Sequence, residues 1–342
     1  MSRKLITIST IMTLMSTSVM ADVPNVAADI APIHSLVSKV MDGVGEPKLV
    51  IQSGASPHGY RLRPSEAKAL QDANLIFWMG EELTPWLDGA IDTLASNASV
   101  TSLLDQEGVV LHEFREGALF EAHDHSAHDD HDDHKDHDDH DDHKDHDDHD
   151  DHDDHDDHDD HDDHDDHDDH GHGAHDPHAW LSPENAKLWL NIIASKLSVA
   201  DPENAATYFT NAAAGQAEIE EMISEVSATL KPVKGGKFVV FHDAYQYFEN
   251  DFDFYASGAI SLSDASDPSP ARIAKVQRRI RDEGIQCVLA EPQFKQGLVA
   301  TVMEGSEATA SVIDPLGADI KPGPKLYTQL IKKMAKTLRN CL

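Results

Sequence analysis

From position 128 to 170 a histidine falls at every third residue: His128, His131, His134, His137, His140, His143, His146, His149, His152, His155, His158, His161, His164, His167 and His170. Asp-Asp pairs fill most of the gaps, with Lys135 and Lys144 as the only interruptions. Neutral imidazole and carboxylate oxygen both ligate zinc and its divalent neighbours, so this composition chelates metal. The tract has no apolar residue to bury and its like charges oppose collapse, which predicts a disordered, solvated loop. A period of three would also spread the imidazoles around a helix of 3.6 residues per turn rather than align them. Flexible chain must be ordered each time it chelates, so these are weak, interchangeable, secondary sites. A tight site has to be built elsewhere.

The elements able to build it come from apolar runs that alternate with amphipathic stretches. Strands are predicted at Asn25 to Ile30, Lys48 to Gln52 and Leu75 to Met79. Helical spacing follows near Ile33 to Met41, Ser65 to Asp72 and Leu83 to Leu94. The second half repeats the pattern, with strands at Lys237 to Phe241, Ala256 to Ile260, Gln286 to Ala290 and Ser311 to Ile313. Its helices are Pro270 to Glu283, Leu298 to Gly305 and Leu326 to Leu338. Such alternation implies parallel sheets flanked by helices, an α/β fold in two lobes. Between them Asp201-Pro202-Glu203 opens a helix with Asp as N-cap and Pro in the first position. Apolar residues then recur from Tyr208 to Leu230, with Gln216 as a polar exception, giving one helix of about 29 residues and about 44 Å. Gly215 is its internal weak point, costing about 1 kcal/mol against Ala. A shorter helix from Pro183 to Val199, capped by Ser182, precedes it.

On that frame four residues gain a common address. His58 lies in the loop after the Lys48 strand, His242 directly follows Phe241, and Asp314 follows Ile313. Ligands bind beyond the carboxyl ends of strands in open parallel sheets. His178 arrives just before the Ser182 cap, so three imidazoles and a carboxylate could converge on one tetrahedral ion between the lobes. His34 and His112 sit at no confident strand end and are set aside.

The chain's net charge of −36 is local: 27 Asp and two Lys between Asp124 and Asp169 contribute −25 and leave −11 elsewhere. The remaining, mildly acidic lobes argue against a nucleic-acid partner. A basic start at Arg3 and Lys4, a short apolar core and small residues at Val19 and Ala21 predict an export leader spanning 1–21. In an oxidising compartment the isolated pair Cys287 and Cys341 favours a disulfide, with two buried thiols as the alternative. Closing that loop would be worth about 4 kcal/mol in the chain-entropy model. The expected partition is a leader at 1–21, an N-terminal lobe at 22–200 containing the loop at about 122–175, a linking helix at 201–231, and a C-terminal lobe at 232–342.

The segments SPHGYRLRPSEAKALQDANL, DPHAWLSPENA, FVVFHDAYQYFE, CVLAEPQF and VIDPLG, in this order, resemble the zinc-binding receptors of the ZnuA type, among the metal-receptor proteins of ABC importers. The resemblance covers the mature chain outside the tract, where many zinc members carry a His-rich acidic insertion. It implies two α/β lobes joined by a single long rigid helix, zinc as the transported ligand in the cleft, and His58, His178, His242 and Asp314 as its ligands. Some zinc members carry a Glu directly after the first ligand; here that position is Gly59, which leaves Asp314 or water as the fourth ligand. Imidazole at His242, where manganese receptors carry a carboxylate, favours zinc over the harder ion. The resemblance also supports pairing Cys287 with Cys341. It implies a periplasmic monomer whose partner is an inner-membrane ABC importer permease.

Two rivals remain on sequence alone. Three histidines with an open fourth position also describe a catalytic zinc site, for which Glu291 could act as general base. Glu291 is better read as orienting a ligand or tying the lobes, and the chain as no enzyme. The other rival is a periplasmic metal buffer, or a receptor for another divalent ion such as manganese.

Overall fold

The computed structural model describes residues 23–115, 119–120, 175–261, 268–293 and 296–342. The expected leader and the fifteen histidines of the tract lie outside the described residues.

Two four-stranded, wholly parallel sheets form the frame. The first contains β1 (Val26–Ala28), β2 (Lys48–Leu49), β3 (Leu75–Trp78) and β4 (Ser99–Ser102) in the order β2-β1-β3-β4. All four residues of β3 are buried, as expected of a parallel strand covered on both faces. Helices α1 (Ala31–Val40), α2 (Pro64–Gln71) and α3 (Pro85–Leu94) follow the strands, each with proline in its first turn. The second sheet repeats the order as β6-β5-β7-β8, from β5 (Phe238–His242), β6 (Ala259–Ser261), β7 (Cys287–Ala290) and β8 (Thr309–Val312).

Helix α4 (Pro183–Ala200) opens on Ser182, whose Oγ accepts from the Asn185 amide. The linking helix differs from its predicted start. Pro202–Asn204 forms a 3-10 turn, and α5 (Ala205–Leu230) then runs for 26 residues, about 39 Å. The polar exception Gln216 donates to the Lys187 carbonyl of α4 at 2.9 Å. Gly215 is more than a weak point. A Cβ there would stand 2.9 Å from Leu190 Cδ1 and 3.1 Å from Lys39 Cγ, so the missing side chain lets α5 pack closely on α4 and α1.

The C-terminal lobe adds α6 (Gln246–Phe252), α7 (Pro270–Asp282), α8 (Gln296–Met303) and α9 (Leu326–Cys341). Helix α9 lies along both α5 and α1, so a second rod accompanies the linking helix. Ser35 on α1 donates to the Gly323 carbonyl at 2.7 Å and accepts from the Tyr327 amide at 3.0 Å. Cys287 and Cys341 form a disulfide with Cα atoms 5.6 Å apart, fixing the end of α9 to β7.

Period-two alternation along β5 divides the core. Phe238 and Val240 join an apolar cluster that runs through α9, α5, α4, α1 and the first sheet. Val239 and Phe241 face a smaller cluster with Ile260, Val276, Ile280 and Val288. The larger cluster is common to both lobes.

Candidate metal centre

The strand order reverses between β1 and β3 in one sheet and between β5 and β7 in the other, and such reversals open a crevice at the strands' carboxyl ends. In the first lobe Asp29 fills the crevice. Its carboxylate accepts from the Ile30 and Met79 amides at 2.7 Å each, and burial pushes its pKa up to about 7. In the second lobe the corresponding ends carry His242, the last residue of β5, and Glu291, directly after β7.

His242 and Glu291 are both buried, and His242 Nδ1 lies 2.6 Å from Glu291 Oε1. His178, also buried, has the same arrangement: its Nδ1 lies 2.6 Å from Asp176 Oδ1, which also accepts the His178 amide at 3.0 Å. An Nδ1–H donated to each carboxylate would turn the Nε2 lone pair of each ring toward a shared ion. The two Nε2 atoms stand 3.4 Å apart. Two nitrogens at 2.0–2.1 Å from a tetrahedral zinc lie about 3.3–3.4 Å apart, so the pair already has the spacing of a zinc-site edge.

His58 joins them from the first lobe, its ring centroid 5.6 Å from that of His178. Trp86 Nε1 donates to the neighbouring Pro57 carbonyl at 2.7 Å, and Tyr60 donates to Glu66 at 2.8 Å, which fixes both flanks of the half-buried loop. Glu66 also accepts the Arg63 amide, capping α2 at the loop's exit. Asp314 is engaged differently. Its oxygens accept the Leu316 and Ala318 amides, folding the carboxylate onto its own loop. Trp180 bridges the neighbouring segments, with its ring 5.2 Å from His178 and its Nε1 on the Pro315 carbonyl at 2.8 Å. The structure thus sets His58 and His242 each beside His178 and leaves Asp314 turned to backbone amides. Among the described residues, no three His, Cys, Asp or Glu side chains stand together as a complete metal-holding group.

Charged residues around the pair escaped the sequence reading. Asp176 is buried, and burial lifts its pKa to about 6 against the pull of the His178 amide and Arg115. Arg115 reaches both Asp243, next to His242, and Glu249 on α6. Burial works against its charge, yet the two carboxylates outweigh that and hold the guanidinium above its usual range. One sequence signal was available: Arg115 is the only Lys or Arg between Lys68 and Lys135. His112 and His34 take structural roles. His112 packs on Tyr247 and its Nε2 accepts from Asn250, while His34 Nε2 donates to the Pro47 carbonyl at 3.1 Å.

The family model described as ZnuA, zinc-uptake complex component A periplasmic, matches residues 26–341. High-affinity zinc uptake system protein ZnuA of Brucella abortus (strain 2308) is 49% identical over 317 residues, 93% of this chain and 91% of that protein. The protein of the same name from Paracoccus denitrificans is 44% identical over 323 residues, covering 94% and 93%. Among solved structures, a crystal structure of ZnuA superposes with a TM-score of 0.68 at 20% identity, over 94% of this chain and 99% of that one, a likeness of fold.

Proposed function

The chain belongs to the ZnuA family of periplasmic zinc-uptake components, and from that membership and the paired imidazoles we infer how it serves as a zinc receptor. It is a periplasmic zinc-binding protein of high-affinity zinc uptake, with zinc as its cargo and an inner-membrane ABC importer permease as its partner. The ligands are His58, His178 and His242, with Asp314 as the fourth. The observation that carries this set is the 3.4 Å Nε2–Nε2 spacing with both Nδ1 atoms oriented by carboxylates. Two ligands are held in register before metal arrives, and His58 and Asp314 complete the shell around the ion. Asp314 has a lone pair to offer beyond those its loop amides use. Four protein ligands leave no open position for an activated water, so Glu291 orients His242 and no hydrolytic role follows. The lobe boundaries at 201 and 231, the leader at 1–21 and the tract as a weak secondary store are part of the same reading.

Competition titration against a chromogenic chelator, in protein lacking residues 124–169, tests the ligand set. His58→Ala, His178→Ala and His242→Ala should each weaken zinc binding sharply, and Asp314→Ala least, because water can replace one carboxylate oxygen. Removing the tract should lower the number of ions bound while the tightest one keeps its affinity. Wild-type affinity in His242→Ala would remove the basis for this site.

A further inference from the structure

We propose that Arg115 is a positioning residue for the zinc site: it seats the strand of chain carrying His178 against the β5–α6 corner carrying His242. The proposal rests on the ligand set above. Two limbs of chain, one from His112 to Arg115 and the other from His175 to His178, are tied into a ribbon. Glu113 and His175 form an antiparallel bridge, and the Asp176 amide donates to the His112 carbonyl at 2.8 Å. Tyr247 of α6 holds both limbs, its hydroxyl donating to the Asp176 carbonyl at 2.7 Å and accepting the His112 amide at 3.1 Å. Arg115 is the charged end of this seam.

Its Nε lies 3.0 Å from each oxygen of Asp243, and its Nη2 also donates to Asp243. Its Nη1 donates to Glu249 Oε2 at 2.6 Å, and the Phe120 ring covers the guanidinium 3.6 Å away. The planar fork therefore spans a residue adjacent to His242 and a residue one turn along α6. Packing alone does not call for this. Buried ion networks are often matched in stability by apolar side chains of the same volume, whereas a fork to two carboxylates fixes direction and distance. What it fixes here is the relation between the ribbon, which ends at His178, and the corner, which begins at His242. The 3.4 Å Nε2 spacing depends on that relation.

The test uses the full-length chain in zinc buffers that leave only the tightest site to be read. Affinity, zinc release into excess chelator and the thermal midpoint of metal-free protein are measured for wild type, Arg115→Met, Arg115→Lys and His178→Ala. Loss of an outer support for metal ligands costs about 10–100-fold in affinity. Arg115→Met should fall at the lower end, about tenfold, chiefly through faster release. Arg115→Lys should lie between it and wild type, since a single ammonium cannot fork to both carboxylates. A purely structural role would lower the metal-free midpoint and leave affinity and release unchanged in folded protein. That result in Arg115→Met, beside a weakened His178→Ala, overturns the proposal and spares the ligand set. Wild-type binding in His178→Ala would instead remove the ligand set and the proposal with it. Should Arg115→Met fail to fold, wild-type affinity and release in Arg115→Lys would overturn the forked role.

Discussion

Replacing Glu291 by Gln should weaken the tightest zinc site about tenfold while the fold survives. Glu291 Oε1 takes the His242 Nδ1–H at 2.6 Å and Oε2 takes Gln293 Nε2 at 2.8 Å. A glutamine is nearly the same shape. Its oxygen can still accept from His242, and its NH2 can face Gln293 once that amide turns to present its oxygen. What disappears is the charge. A hydrogen bond to a charged group contributes about 1.5–3 kcal/mol and a neutral one about 0.5–1.5, a difference of roughly 1–1.5 kcal/mol. The bond exists before metal arrives, so only its strengthening on the metal-bound imidazole counts. Losing such support costs about 10–100-fold in affinity, and the retained neutral acceptor places Glu291→Gln at the lower end, about one decade. The physical route is a less basic His242 with a looser preference for the tautomer that exposes Nε2. Competition titration at fixed pH reads the affinity, and circular dichroism of the metal-free variant checks the fold. Unchanged affinity in Glu291→Gln, with His242→Ala sharply weakened, would refute the orienting role and keep the ligand.

Two further outcomes follow from parts remote from the metal. Burial lowers the pKa of His34, so the folded state resists its protonation and its contribution to stability is lost as pH falls below about 6.5. In metal-free protein the urea midpoint should therefore drop more between pH 7.5 and 5.5 in wild type than in His34→Gln; equal drops would contradict this. Cys287→Ser with Cys341→Ser should destabilise by about 4 kcal/mol, given a separation of 54 residues, and make the thermal midpoint insensitive to reductant. A midpoint equal to that of oxidised wild type would show that the bridge adds nothing.

The parts of the fold legible in sequence were those whose burial forces a pattern. The run Leu75 to Trp78 is buried throughout, and Phe238 to His242 likewise, so continuous apolar composition located both strands. Strand β4 left no such mark, because Ser99 and Val100 are exposed on a sheet edge and polar residues fill most of it. Helix α6, at seven residues with three aromatics, is too short for its period to show. Gly215 reads as a helix defect until Leu190 and Lys39 are seen against it. His58, His242 and Asp314 are legible as candidates because strand ends are predictable places, and His178 because it precedes the Ser182 helix cap. Asp176 sits two residues from His178, but Arg115 acts through a contact that no local spacing encodes, since it and Asp243 are 128 residues apart.

The apolar cluster shared by both lobes makes the molecule one thermodynamic body despite its two sheets. Phe238, Val240 and Leu289 from the second sheet and Phe77 and Ile76 from the first are buried in the same continuous mass as α5 and α9. Separating the halves would expose that mass, which predicts a single cooperative melting transition rather than melting in sequence. Lobes joined by continuous packing are expected to move little when the ion is captured. On the proposed ligand set, the free energy of capture would then be kept in the metal–ligand bonds themselves, and release to the importer would act on the few loops that hold them.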